Sequence, residues 1–281
     1  MKIFPFPLAI LVALSTATLA HAEAPNPATS DATIYAHLQK GQDRAAKRIV
    51  DDLNAYQRAN DTRQADPDTQ VALAAIPARY ILERKAWGEA LDLEAGNRTA
   101  PYASAITRFT RAMGANMAGQ LDLAQEEIKA LADLRDAAKS AGQPVAENQI
   151  EVLRLAASAW LARSQGKWVT STNIMREAAD KEDSSEKVKA LTNRLYPMRE
   201  LLGDMLEEAQ RPADALKEYD LSLQQAPDRF NGYYGATRAA RSAGAREKVR
   251  EYLDKLMALA KEGDNERPAV REAKRFAGNK P

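Results

Sequence analysis

Few residues of this chain could do specific chemistry. Cysteine is absent, which removes disulfides, thiolate metal sites, a cysteine nucleophile and a lipoprotein anchor together. Histidine occurs only as His21 and His37. His37 lies in YAHLQKG, one turn before Gly41, without the Cys or His partners that a zinc site or a catalytic triad would use. It reads as a surface or interface residue near a helix C-terminus, where a cation is favoured. Gly232-Tyr-Tyr-Gly235 is not a dinucleotide fingerprint, and neither G-K-[ST] nor G-x-S-x-G occurs, so no cofactor is expected. Carboxylates are what remain. Glu200, Asp204, Glu207 and Glu208 share one helix face by their spacing. A carboxylate pair about 5–9.5 Å apart would suit glycoside hydrolysis. The same face also reads as a solvated surface paired with Arg199, Arg211 and Lys217, or as an acidic patch that grips a basic partner.

The elements that position these groups are helices. Alanine is abundant, Gly and Pro number 13 each, and aromatics make up 6% of the chain, which favours helices over strands. Tyr196–Arg229 shows the pattern best. It predicts two helices with a turn near Gln210–Pro212 and a stop at Pro227. Leu202, Gly203 and Leu206 fall together in the first helix, and Ala215, Tyr219 and Ser222 in the second. A Gly or Ala in each helix lets the pair cross closely, and the aromatic fills the gap beside them. Those small and large positions, with the closing proline, match a 34-residue tetratricopeptide (TPR) unit.

The turn recurs with a small residue five positions on. Gly41 goes with Ala46, Lys85 with Ala90, and Gly119 with Ala124. Gly166 goes with Ser171, Gln210 with Ala215, and Gly244 with Val249. Successive turns lie 44, 34, 47, 44 and 34 residues apart, so two intervals equal the unit and three carry inserts. Only the second unit breaks down, with Glu94 and Asn97 where apolar or small residues belong. The expected fold is all-α: a TPR-like α-solenoid, a right-handed superhelix of about six helix pairs.

In that register the first helix of each pair lines a concave groove. Ile106, Phe109, Met113, Asn116 and Met117 take those places in the third unit, and Leu153, Ala156, Trp160 and Arg163 in the fourth. Glu200, Asp204, Glu207 and Glu208 follow in the fifth, then Asn231, Tyr234, Arg238 and Arg241 in the sixth. The candidate partner-binding set is Phe109, Met113, Met117, Trp160, Arg163, Asp204, Glu207, Tyr234 and Arg238. An apolar middle between an acidic and a basic stretch suits a peptide or helix. The other outcome is that inserts or a curled superhelix cover these residues and make them core. Trp87 and Trp168 follow their turns by two residues and are assigned to core.

Residues 1–22 read as a secretory signal peptide. Lys2 opens it, Leu8–Leu14 is its apolar stretch, and Ala20-His21-Ala22 is an A-x-A cleavage site. The alternative is an uncleaved membrane anchor, against which Pro5 and Pro7 shorten the helix below a bilayer span; no later stretch reaches transmembrane length, so no span is expected after cleavage. Residues 23–262 form the repeat domain. Residues 263–281 form a polar tail in which Ala269–Ala277 is a capping helix. Inserts fall at Asn60–Thr69, Gly96–Pro101, Ala141–Pro144 and Asp180–Lys189, the last a charged run read as a solvated loop or helix extension. Lys plus Arg total 40 against 39 Asp plus Glu, and no basic stripe carries interleaved aromatics, so nucleic acid is not an expected partner.

The stretches AIPARYILERKAWGEAL (75–91), RFTRAMGANMAGQLDLAQ (108–125), QIEVLRLAASAWLARSQGKW (149–168), IMREAADKED (174–183), PMRELLGDML (197–206) and RPADALKEYDLSLQQAPDRFNGYYGATRAA (211–240) carry a resemblance. The chain resembles the C-terminal portion of exported bacterial TPR proteins. Longer members carry a His-rich N-terminal half and a His-Pro loop before the PMRELLGD segment. Here that loop reads EKVKALTNRLYP, without histidine, so no metal or catalytic role carries over. The resemblance implies fold and export, and in a bacterial periplasm the Asn97-Arg98-Thr99 glycosylation match would be idle. The functional expectation is a non-catalytic periplasmic scaffold that binds a protein or peptide in its groove. The alternative is a cell-envelope enzyme or small-ligand binder that uses groove carboxylates and arginines.

Overall fold

A computed structural model describes residues 26–62, 64–96, 98–185 and 194–278. The expected leader, Asn97 and most of the EKVKALTNRLYP loop lie outside them. The described residues are helical, without strands, in the order α1 (Pro27–Gln39), α2 (Asp43–Ala59), α3 (Pro67–Arg84), a short 3-10 helix (Trp87–Asp92), α4 (Pro101–Met117), α5 (Leu121–Ser140), α6 (Pro144–Ser164), α7 (Trp168–Asp183), α8 (Met198–Glu208), α9 (Pro212–Gln225), α10 (Phe230–Ser242), α11 (Arg246–Leu259) and α12 (Pro268–Gly278). The elements pack in consecutive pairs, as in an α-solenoid.

The six turns read from the sequence all adopt positive φ, from +53° at Lys85 to +75° at Gly166 and Gly244. At each, the next residue's amide donates five residues back, as from Gln120 to Ala115 O and from Arg211 to Leu206 O, both 2.9 Å. This bond satisfies the last carbonyls of the first helix and aims the chain into the second. The small residue five positions on is fully buried in the first five pairs, while Val249 in the sixth is half-buried. Gly142, between α5 and α6, makes the same turn inside the stretch read from the sequence as an insert.

Close packing follows the small residues. A Cβ built on Gly203 or Gly235 would lie 2.7 or 2.3 Å from the Tyr219 ring, so two helices clamp that aromatic from both sides. A Cβ on Gly114 would lie 2.5 Å from the Ala90 side chain. That contact belongs to the aberrant second pair, whose second member is only the 3-10 helix and rests on α4. Trp87 is half-buried against the main core, but Trp168 is 39% exposed, which corrects its assignment to core: Val169 and the α8–α9 turn leave its outer face uncovered. In the tail, α12 covers the stretch Ala269–Ala277 and packs on α11.

The two ends of the stack meet. Asp264 N donates to Gly41 O (3.0 Å), and Phe230 N donates to Gln39 Oε1 (2.9 Å). Gly41 and Gly263 abut so closely that a Cβ on either would come within 2.9 Å of Val270 or of Lys40 O, respectively. The core divides accordingly. Ile34 and Leu38 of α1, Val50 and Leu53 of α2, and Leu73 and Ile76 of α3 belong to a small cluster of their own. A larger cluster runs from the other face of α3 through α12.

Candidate functional site

Curling of the stack decides what became of the concave side. Its apolar middle is filled: Phe109 and Met113 are fully buried and Trp160 is 2% exposed. The expectation that these three line an open groove is corrected: all three are buried members of the main core, in which α4 packs against α3 and α6. Met117 is half-buried beside them.

The polar members of the predicted set sit where that core meets solvent, and each is engaged within the chain. Asp204 accepts from Lys85 Nζ (2.7 Å) and from Tyr219 OH (2.8 Å). Glu207 faces Arg238 at 3.7 Å, and burial pushes its carboxyl up while Arg238 pulls it down. Arg163 donates to Glu208 (2.6 Å) and lies over Trp160 and Trp168, at 5.5 and 5.9 Å from their centres. Tyr234 OH donates to Glu272 Oε2 (2.8 Å), and burial raises its hydroxyl first of all. The partners expected for this acidic face are elsewhere: Arg199 binds Asp180, Asp183 and Glu218, while Arg211 and Lys217 bind Asp214. Glu200 instead lies buried with Arg229, which donates to it at 2.5 and 2.9 Å and to Glu83 at 2.8 Å. His37 meets Gln42 at 2.7 Å at the α1–α2 turn.

Space lies at the opposite end, where helices begin. A cleft of about 850 Å³ opens between the N-terminal turns of α3, α4 and α6, with α1 on one side and Leu195 on the other. Its walls are small and apolar: Val71, Ala72, Ala75, Ile106, Val145 and Ala146. Pro67, Pro101 and Pro144 each open a helix at its rim, where a missing N–H costs nothing. Asp66 caps α3 by accepting from Thr69 N (3.0 Å), whereas α4 and α6 have no side-chain cap. The lining charges are Asp31 and Asp68, and Arg79 donates to Asp31 at 2.7 Å.

Below the cleft, a small pocket holds Tyr102, Glu182, Arg194 and Tyr196. Glu182 Oε2 accepts from Met198 N (2.9 Å) and so caps α8 from the last turn of α7. Burial pushes its carboxyl up to about 7, against the pull of Arg194 at 4.0 Å and of the Met198 amide. Burial also raises the Tyr102 hydroxyl, to about 12. The Tyr196 hydroxyl is buried without a hydrogen-bond partner. Among the described residues no cluster of three or more His, Asp or Glu is placed to hold a metal ion.

Of the cleft walls, only Ile106 belonged to the register predicted to face the groove. The signal for the rest was three helix-opening prolines followed by small apolar residues in the opening turns. Glu182 sits in a charged run that reads as solvated, and its burial has no local sequence mark. No protein-family model matches the chain, and no curated protein matches it in sequence.

Proposed function

We propose that this chain is an exported, non-catalytic TPR-like scaffold that holds an apolar segment of a partner protein in the cleft between α3, α4 and α6. The cleft carries the reading: about 850 Å³ of space walled by small apolar side chains, with helix starts offering backbone N–H groups at the rim. The repeated positive-φ turns and the Gly–Tyr–Gly clamp support TPR-type pairing and a right-handed superhelix. The leader features support a periplasmic address with cleavage near Ala22, and no described helix is long and apolar enough to cross a membrane. Activity through groove carboxylates draws less support, since Asp204, Glu207 and Glu208 are each bound by a cation of the same chain. A small amphipathic molecule is the second reading, because the volume falls within the range of small-ligand sites.

The test is a crosslinked capture from periplasmic extract with tagged residues 23–281, compared with Val71→Asp and Val145→Asp baits. Val71 is half-buried against the main core, whereas Val145 is 38% exposed, so the Val145 change places no charge in the core and separates lost binding from lost folding. A partner held by the native bait and lost by both variants is the expected result. A partner retained by both variants moves the interface off the cleft, and an empty native lane shifts weight to the small ligand, to be sought by thermal shift.

A further inference from the structure

The closure of the stack is of a different kind from the stack itself. Across the seam between residues 27–85 and 194–278, the hydrogen bonds and ion pairs join groups more than 100 positions apart. Arg79 donates to the carbonyls of Arg194 and Leu195. Lys85 reaches Asp204, and Glu83 accepts from Arg229 and from Asn231 (2.8 Å each). At the outer edge Arg267, 3% exposed, donates to Asp43 Oδ1 (2.7 Å) and Leu38 O (3.1 Å) while lying over the Phe230 ring. Arg44 closes the rim on Asp264 and Glu266. By contrast α1 and α2 are held to α3 by the small apolar cluster, which includes no residue of α8, α10 or α12.

From this division we infer that the ring is a latch: α1, α2 and α3 part from α8, α10 and α12 along the polar seam, while the small apolar cluster that joins α1, α2 and α3 stays packed and α3 keeps its contact with α4. The reasoning is energetic. Apolar contacts within each side are lost only on unfolding, whereas seam groups can exchange their partners for water. The latch also controls the cleft, whose walls include Asp31 and Ala32 from one side of the seam and Leu195 from the other. Parting the seam widens that mouth. This last consequence rests on the cleft being the binding site proposed above; the latch itself does not.

Three backbone amides report the seam directly, since Phe230 N, Asp264 N and Arg44 N all donate across it. Native-state hydrogen exchange of the full chain, read at these amides and at helical amides of α5 and α6, tests the inference without a partner. The expected result is that the three seam amides exchange together and faster than α5 and α6. Arg267→Ala should accelerate them at least about tenfold and leave α5 and α6 almost unchanged, because loss of its cation leaves Asp43 buried alone. Arg44→Ala, at an exposed site, should give a smaller change in the same direction without risk to folding. Seam amides that exchange at the α5–α6 rate in the native chain, or that ignore both substitutions, would overturn the latch. A latch confirmed in a chain that captures nothing would leave the seam standing and sink only the cleft's proposed occupant.

Discussion

The block α4–α7 and the seam hold the same molecule together by opposite means. In the block, neighbours in sequence interlock through small residues and apolar knobs, with Leu131, Ala156 and Met175 all fully buried. At the seam, distant residues meet through guanidinium groups, carboxylates and backbone carbonyls. The block resembles an open repeat array, whose energy is summed from neighbour to neighbour. The seam adds a contact that such arrays lack. The contrast teaches that local pairing rules build the units, while a handful of charged side chains decides whether the array stays open.

The sharpest break in that contrast is at the Tyr219 clamp, which belongs to the locally packed kind. Tyr219→Ala should cost about 3–5 kcal/mol by denaturant titration, since it empties a site sealed by two glycines. A loss below about 1 kcal/mol would mean that the helices collapse onto the gap. Next comes the buried seam triad. Arg229→Met alone should cost about 3–5 kcal/mol, because Glu83 and Glu200 are left facing each other without a cation. Arg229→Met with Glu83→Gln and Glu200→Gln should recover most of it, and failure to recover would mean that the charges stabilise rather than specify closure.

A smaller effect concerns Glu182, which links α7 to α8 beside the seam. Its carboxyl titrates higher in the folded chain, at about 7, than the ordinary 4.5, so the folded state holds the proton longer. Its contribution to stability is therefore present in full below about pH 4.5 and lost as pH rises through about 7. Glu182→Gln should flatten that fall, by at most roughly 3 kcal/mol, in melts recorded from pH 5 to pH 8. An unchanged slope would place the proton elsewhere. The smallest effect is Gln210→Gly. It relieves a side chain at φ +58° and should stabilise by about 0.5–1 kcal/mol, offset in part by the added freedom of the unfolded chain.

The sequence made the units legible and the closure illegible, for physical reasons. Turn positions five residues before a small buried residue are a local pattern, so Gly41, Lys85, Gly119, Gly166, Gln210 and Gly244 could be read without coordinates. The Gly203–Tyr219 contact was readable for the same reason. Asp43 and Arg267 carry no such mark, because charged residues in polar stretches look solvated until a partner 224 positions away buries them. Phe109, Met113 and Trp160 stand in the predicted register, but the register does not say how far the superhelix curls. Trp168 failed in the other direction, since a large residue after a turn packs only if the next unit covers it.

The abutment of Gly41 with Gly263 bears on the order of folding events. Helix pairs can zip up from short loops, but joining chain segments some 220 residues apart carries the largest loop-closure entropy in the molecule, growing by about 0.6 kcal/mol with each doubling of loop length. That cost predicts that the junction forms after the transition state. Substitutions there will hasten unfolding and leave the refolding rate nearly untouched, so the residues that join the two ends set how long a folded molecule lasts rather than how fast it is made.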